Sequence, residues 1–298
     1  MTPTPLTIGV PVYNGERFLR PALDSILGQT FSDFVVVVSD NASTDTTAEI
    51  VEEYAARDVR VVLLRNDTNR GAAWNYNRVF AECRTPYFKW AAGDDVLAPT
   101  YLQRLLEVLD ASPPSVVLAY PRAQLIDDEG NVLGEFVDKL AARPGAAPYA
   151  RLFKVVNNAA LGNVIFSIVR SDALRSTRLH GNYPFADYVL LAELALAGEF
   201  RIVHEPLFLR RVHEGMSTRA NPTAESLTRW FDTARPAVTR PKLELFREYL
   251  AGIGHARLSR PVRALAYLAF VLAWIRTQLA LRTRARAFLD RAAHRRSS

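Results

Sequence analysis

The first 120 residues repeat one pattern: a short, almost wholly apolar run, then a segment whose apolar residues recur every three or four positions. Leu6–Val12 and Phe34–Asp40 are runs without polar alternation, as in strands buried on both faces. Between them Leu19, Leu23, Ile26 and Leu27 share one face of a helix over Arg17–Leu27. Thr46 with Glu49 reads as a capping box opening a helix to about Ala56. Val59–Leu64, Tyr87–Ala91 and Ser115–Tyr120 continue as strands, Ala72–Ala81 and Leu102–Leu109 as helices. This alternation predicts an α/β fold, a parallel sheet with right-handed crossovers and helices on both faces. In such sheets ligands bind beyond the carboxyl ends of the strands. The residues there are Pro11-Val12-Tyr13-Asn14, Ser39-Asp40-Asn41, Arg65-Asn66-Asp67 and Gly93-Asp94-Asp95, so polar and acidic groups gather at one rim.

Further on, Asp127–Asn131 reads as a hairpin turn between Ala123–Ile126 and Val132–Phe136. Ala141–Pro148 reads as a mobile loop. Val164–Val169 and Arg201–Val212 read as strands on either side of a helix over Tyr188–Ala197, and beyond residue 222 the signal is helical. With 49% hydrophobic and 23% charged residues, the composition excludes a wholly disordered chain. A single cysteine, Cys83, excludes an internal disulfide and a cysteine-rich metal site. No basic-then-apolar segment opens the chain, so a cytoplasmic location is expected.

The net charge of +6 is unevenly spread. Residues 240–298 hold thirteen Lys/Arg against Glu244, Glu248 and Asp290, a net of +10, which leaves −4 on the first 239 residues. The basic balance therefore belongs to the tail and makes no case for nucleic acid as a partner. Ala264–Ile275 carries no charge and is shorter than the ~20 residues that cross a bilayer. Followed by arginines, 261–298 suits a helix lying peripherally on an anionic membrane, such as the inner face of the plasma membrane. It equally suits a helix packed on the main domain with a solvated basic end.

Two adjacent carboxylates at the end of a buried strand repel each other and lose hydration, and a hard divalent cation such as Mg²⁺ or Mn²⁺ removes that penalty. Asp94 and Asp95 fit this chemistry, although such a pair also serves as a solvated turn or helix cap. Asp40 could accept from a base or ribose, or cap the next helix as Asn41 or Ser43 could. Asn69-Arg70-Gly71 precedes a helix N-terminus that can face phosphate, or is an ordinary glycine turn. Trp90 and Tyr120 could stack on a sugar, but beside buried strands such aromatics belong more often to the core. His180, His204, His255 and His294 read as solvated.

Ile8–Asn14, Ser39–Thr47, Asn69-Arg70-Gly71 and Trp90–Asp95 occur in the order and spacing of family 2 glycosyltransferases, which the chain resembles over residues 6–215. The resemblance implies a GT-A fold over 1–220, with a nucleotide-sugar half at 1–120 and an acceptor half at 121–220. A basic helical extension follows at 221–298. It further implies inverting, metal-assisted transfer from a nucleotide-diphosphate sugar to a hydroxyl of a glycan or lipid-linked acceptor, as in cell-envelope polysaccharide synthesis. On this basis Pro11, Tyr13, Asn14, Asp40 and Asn41 line the nucleoside pocket, and Arg70 and Arg211 lie near the diphosphate. Asp94 touches ribose or metal, Asp95 the metal, His213 the metal or the diphosphate, and Asp187 is the base, although an aspartate there could also cap the helix that follows. Two positions depart from the family pattern. Ala92 stands where the first aspartate of Asp-x-Asp-Asp is usual, and Ala186 stands where a glutamate normally precedes Asp187. They keep open a binding module without chemistry. A sugar-phosphate nucleotidyltransferase is a weaker alternative, since Pro-Val-Tyr-Asn stands where its glycine-rich basic loop belongs.

Overall fold

The computed structural model describes residues 5–159, 162–236, 238 and 240–294, with the backbone alone at 218 and 280–294. Strands β1 (Leu6–Val12), β2 (Phe34–Asp40), β3 (Val61–Arg65) and β4 (Tyr87–Trp90) are parallel, joined by α1 (Glu16–Leu27), α2 (Thr47–Arg57) and α3 (Ala72–Ala81). The chain continues through β5 (Val96–Leu97), α4 (Tyr101–Asp110), β6 (Val116–Ile126), β7 (Val132–Phe136) and α5 (Pro148–Asn158). A 3-10 turn at Asn163–Phe166 leads into β8 (Ile168–Arg170), α6 (Ser171–Arg175), α7 (Ala186–Ala197) and β9 (Glu199–Arg211). Helices α8 (Ser217–Ala220), α9 (Ala224–Phe231), α10 (Pro241–His255) and α11 (Arg260–His294) follow. The sheet order is β3-β2-β1-β4-β8-β6-β9-β5, with β7 beside β6. Because β8 runs antiparallel to both β4 and β6, the sheet is mixed beyond β4.

Each sheet face carries its own core. Leu6, Ile8, Val10 and Val12 of β1 face α1, α2 and α4, as the two-residue strand period requires. On the opposite face a Cβ at Gly9 would come within 2.6 Å of the Val79 side chain and 2.8 Å of Phe88. The glycine lets α3 approach β1 closely, which draws the N-terminus of α3 up to the strand tips. Register aligns Val12 with Asp40 and Asp40 with Arg65, so the strand ends meet at one rim.

Several expectations change. Ser115–Tyr120 and Ala123–Ile126 are one strand, β6, with irregular register at Pro121 and Arg122. Val164–Val169 divides into the 3-10 turn and β8, after Gly162 at φ 69°. Helix α5 arises where no element was expected, burying Leu152, Val155 and Val156 along one face. The loop at 141–147 follows the buried Leu140 and contains the buried Ala146. Helix α2 begins where expected without the capping box: the Thr46 hydroxyl donates to Glu16 Oε2 (2.8 Å), and Asp45 Oδ1 accepts from Thr47 N (3.0 Å). Nor is residue 220 a boundary of the core, since Tyr249, Ile253, Phe270 and Ala273 share one cluster with Leu190 and Leu194. Trp90 and Tyr120 are both core residues.

Candidate active site

The loops after β1 and β2 are tied to each other before they touch any ligand. Asn14 stands at φ 49°, a conformation asparagine tolerates better than most residues. Its Oδ1 accepts from Thr44 N (2.9 Å), and its N–H donates to Ser43 Oγ (2.9 Å). Buried Asn41 spans the next gap: Nδ2 donates to Asn69 Oδ1 (2.9 Å) and Gly71 O (3.2 Å), while Oδ1 accepts from Arg70 N (3.2 Å). Asn75 of α3 donates to Val12 O (3.2 Å) and Ser39 O (2.9 Å), clamping the ends of β1 and β2. Gly71, at φ 86°, has no room for a side chain, since a Cβ would lie 2.4 Å from Phe231 O. The end of α9 is therefore seated on the same rim.

These tips border a cleft of about 900 Å³. Pro11, Tyr13, Asn14 and Asn41 form one wall, Asp94, Asp95, Arg210 and His213 another, and Met216, Thr223 and Trp230 close it from the C-terminal side. Asp94 Oδ2 lies 3.0 Å from His213 Nε2. Asp95 is buried and accepts the Arg211 backbone N–H (2.9 Å). Burial, then the neighbouring Asp94 charge, pushes the Asp95 carboxyl up to about 8, partly offset by that N–H, Arg210 and Lys89. A carboxyl held so high keeps its proton at neutral pH unless a cation takes the proton's place. The donor set of carboxylate oxygen and imidazole nitrogen suits Mg²⁺ or Mn²⁺. Among the described residues no three His, Cys, Asp or Glu side chains gather at metal-binding spacing. The residues thus fit a cation shared with a ligand's phosphates and water.

Asp187 lies in the first turn of α7, just after Phe185 in the left-handed region at φ 66°. The N-cap is Phe185, so Asp187 is not the helix cap. A Cβ at Gly162 would lie 2.5 Å from Asp187 Oδ2, and only glycine leaves the carboxylate its position. Burial pushes Asp187 up to about 6, against the pull of the Asp187 and Tyr188 backbone N–H groups and the Arg210 charge. Arg210 lowers both Asp95 and Asp187, and the hydroxyl of the half-buried Tyr76 is pushed up by desolvation and by the charges of Asp94, Asp95 and Asp187. Two acidic centres thus lie within electrostatic reach of one arginine and one tyrosine.

Arg211 lines the cleft beside Arg210, whereas Asp40, Arg70 and Asp187 are not among its lining residues. Asp40 is buried, accepting Ser43 N at 3.1 Å, and Asn41, buried as well, is the one of the two that borders the cleft. Arg70 stacks over Trp74 (4.8 Å) and borders a neighbouring cavity of about 640 Å³. Arg211 spends its guanidinium on the carbonyls of Asp94 (3.0 Å), Asp127 (2.7 Å) and Asp128 (2.8 Å) and lies over Phe18 (4.6 Å). It fixes the Asp94-Asp95 turn, and Arg210 takes the place facing the carboxylates. His180 is buried, not solvated, between Tyr76 (4.8 Å) and Trp90 (4.9 Å), and burial pulls it down to about 3. His204 and His255 are exposed, and the side chain of His294 lies outside the described residues. Gly162, Asn75 and Lys89 were not singled out from sequence. Lys89 is wholly buried in β4, donating to Phe166 O and to Tyr101 Oη (3.3 Å), and burial pulls it down to about 7. A charged residue inside an apolar strand run was its signal.

A parallel half-sheet with paired carboxylates beyond its fourth strand, extended by a mixed half that carries another acid, is the GT-A glycosyltransferase architecture. Solved structures agree. Staphylococcus aureus TarS in complex with UDP-GlcNAc matches with a TM-score of 0.66 at 17% identity, over 90% of this chain and 72% of that one. Mannosyltransferase PcManGT from Pyrobaculum calidifontis, in complex with GDP-Man and Mn²⁺, matches at 0.54 and 18%, over 94% and 85%. The model of the family "Glycosyl transferase family 2" matches residues 7–178, and the chain belongs to that family. "Uncharacterized glycosyltransferase MJ1057" of Methanocaldococcus jannaschii is 28% identical over 133 residues, 44% of this chain and 46% of that protein. The chain matches less than half the length of such curated relatives.

Proposed function

We propose that the chain is an inverting glycosyltransferase that moves a sugar from a nucleoside-diphosphate sugar to a hydroxyl of a glycan or lipid-linked acceptor, in the cytoplasm and peripherally at a membrane. One observation carries the reading. The cleft at the strand tips holds the Asp94–His213 pair and Asp95, while Asp187, raised toward neutrality, stands within reach of the same Arg210. Pro11, Tyr13, Asn14 and Asn41 take the nucleoside, with Asp40 and Arg211 holding the loops behind them and Arg70 at the margin.

Asp94, Asp95 and His213 would each offer a ligand atom to a Mg²⁺ or Mn²⁺ completed by the donor's phosphates and water, and such a cation would supply charge to offset that of the departing diphosphate. Asp187 accepts the acceptor hydroxyl's proton as its oxygen attacks the anomeric carbon opposite the leaving group. A base near 6 is ionised at neutral pH yet basic enough to share that proton in the transition state. With one acid fewer than the usual family signature, because of Ala92, these residues would hold a cation chiefly together with the donor's phosphates. The nucleotides bound by TarS and PcManGT support a nucleotide-sugar donor, and the Mn²⁺ in the latter supports the cation.

The test is turnover with a panel of UDP-, GDP- and dTDP-sugars and Mn²⁺, reading nucleoside diphosphate release and the anomeric configuration of the product by NMR. Release with inverted configuration is expected from one donor class. Retained configuration overturns the mechanism, and binding without turnover favours the non-catalytic module.

A further inference from the structure

Helix α11 has two faces. Ala266, Phe270 and Ala273 are fully buried, and Phe270 lies against Phe246 (5.1 Å) and Tyr249 (5.0 Å) of α10. The other face is apolar and uncovered: Leu265, Leu268, Leu272, Ile275 and Leu279 are each 44–57% exposed. Of the exposed positions between 264 and 279, only Arg276 is charged. The sequence then runs Arg282, Arg284, Arg286, Arg291, Arg295 and Arg296 against a single acid, Asp290.

We propose that this outward face of α11 docks on an anionic lipid surface. The proposal rests on the lipid-linked form of the acceptor reading for its purpose, since such a face would hold the cleft near an acceptor anchored in the same membrane. The charge pattern selects the occupant. A leucine stripe that runs on into arginines matches acyl chains beneath anionic headgroups, where apolar burial and counter-charge act on one helix. A second copy of the chain fits less well. The three- and four-residue spacing continues in the sequence to Arg282 and Arg286, which parallel pairing would set against their own counterparts. Five half-exposed side chains offer on the order of 450 Å², short of the ~800 Å² per partner in a stable protein interface. Crossing the bilayer is also disfavoured. Arg260–Leu279 has a mean hydropathy of 1.3 and sufficient length, but spanning would pull Phe270 and Ala273 out of the core.

The experiment is co-sedimentation of the full chain with vesicles of phosphatidylcholine containing 30% phosphatidylglycerol, against pure phosphatidylcholine, without nucleotide. Binding to the anionic vesicles is expected to be at least tenfold stronger and to weaken in high salt. Leu268→Glu with Leu272→Glu should lower partitioning at least tenfold while the variant stays monomeric. Arg284→Glu with Arg286→Glu should lower it on anionic vesicles alone. Equal affinity for both vesicle types, undiminished binding of the leucine variant, or a wild-type dimer that this variant dissolves would overturn the proposal. The last outcome assigns the face to a second copy. Nucleotide-induced thermal stabilisation, read on the same samples, reports on the donor site independently, so failure of one reading does not pass for failure of the other.

Discussion

Asp187→Asn should separate stability from chemistry. The Asp187 carboxyl is raised from 3.8 to about 6, chiefly by burial. Two pK units correspond to about 3 kcal/mol, and the partial opening of this residue to solvent brings the expected effect to roughly 1–3 kcal/mol. The folded chain keeps this proton up to about pH 6, whereas the unfolded chain releases it near 4. Stability from this group is therefore full below pH 4, declines between pH 4 and 6, and stays low above. Asparagine keeps the shape and an acceptor oxygen for the α7 backbone while removing the charge. The variant should be more stable than wild type by roughly 1–3 kcal/mol at pH 8, with the gap closing toward pH 4. Urea denaturation at the two pH values measures it. Transfer by the same variant should fall by about 10²–10⁴-fold, the usual worth of a general base, and wild-type turnover should rise with pH to a plateau above about 6. A variant less stable than wild type at pH 8, with a gap unchanged at pH 4, would mean that the carboxylate serves the helix. Undiminished transfer would remove it as base.

Gly162→Ala puts a Cβ 2.5 Å from Asp187 Oδ2 at a positive φ, so transfer should drop about 100-fold with donor binding intact, read as kcat against nucleotide affinity. Asn75→Ala deletes both clamps on the ends of β1 and β2, taking a donor from Ser39 O while Val12 O keeps the Asn41 N–H (2.9 Å); a loss of about 1–2 kcal/mol in urea denaturation is expected. Asp95→Asn should abolish the effect of Mn²⁺ on nucleotide binding, because the position that needs a cation when ionised then needs none; calorimetric titration with and without Mn²⁺ shows it.

The parallel half of the fold was legible in the sequence because β1 and β2 are buried on both faces and print as continuous apolar runs. The mixed half was less so. Val164–Val169 looks like one strand by composition, but the left-handed Gly162 and the Lys89 ammonium on the Phe166 carbonyl turn its first part into a 3-10 turn. Helix α5 hid behind an alanine- and proline-rich lead. Adjacent residues at strand ends point to opposite sides, and which side faces the cleft depends on tertiary register. Hence Asn41 rather than Asp40 lines the cleft, and Arg210 and Arg211 both border it, the latter bound to the Asp94, Asp127 and Asp128 carbonyls. Much of the Ser39–Thr47 motif binds its own loops through Ser43, Thr44 and Asp45, a role that spacing alone does not distinguish from ligand contact.

The most direct test of the account is the thermal stability of the wild-type chain and of Asp95→Asn with UDP, GDP or dTDP, each in Mn²⁺ and in EDTA. A ligand at a hundredfold excess over its Kd stabilises the fold by about 2.7 kcal/mol. The account predicts that one nucleoside diphosphate gives such a shift to wild type in Mn²⁺, little in EDTA, and no metal-dependent part in Asp95→Asn. No shift of a well-folded sample with any of the three, or one equal in EDTA and in the variant, would contradict it.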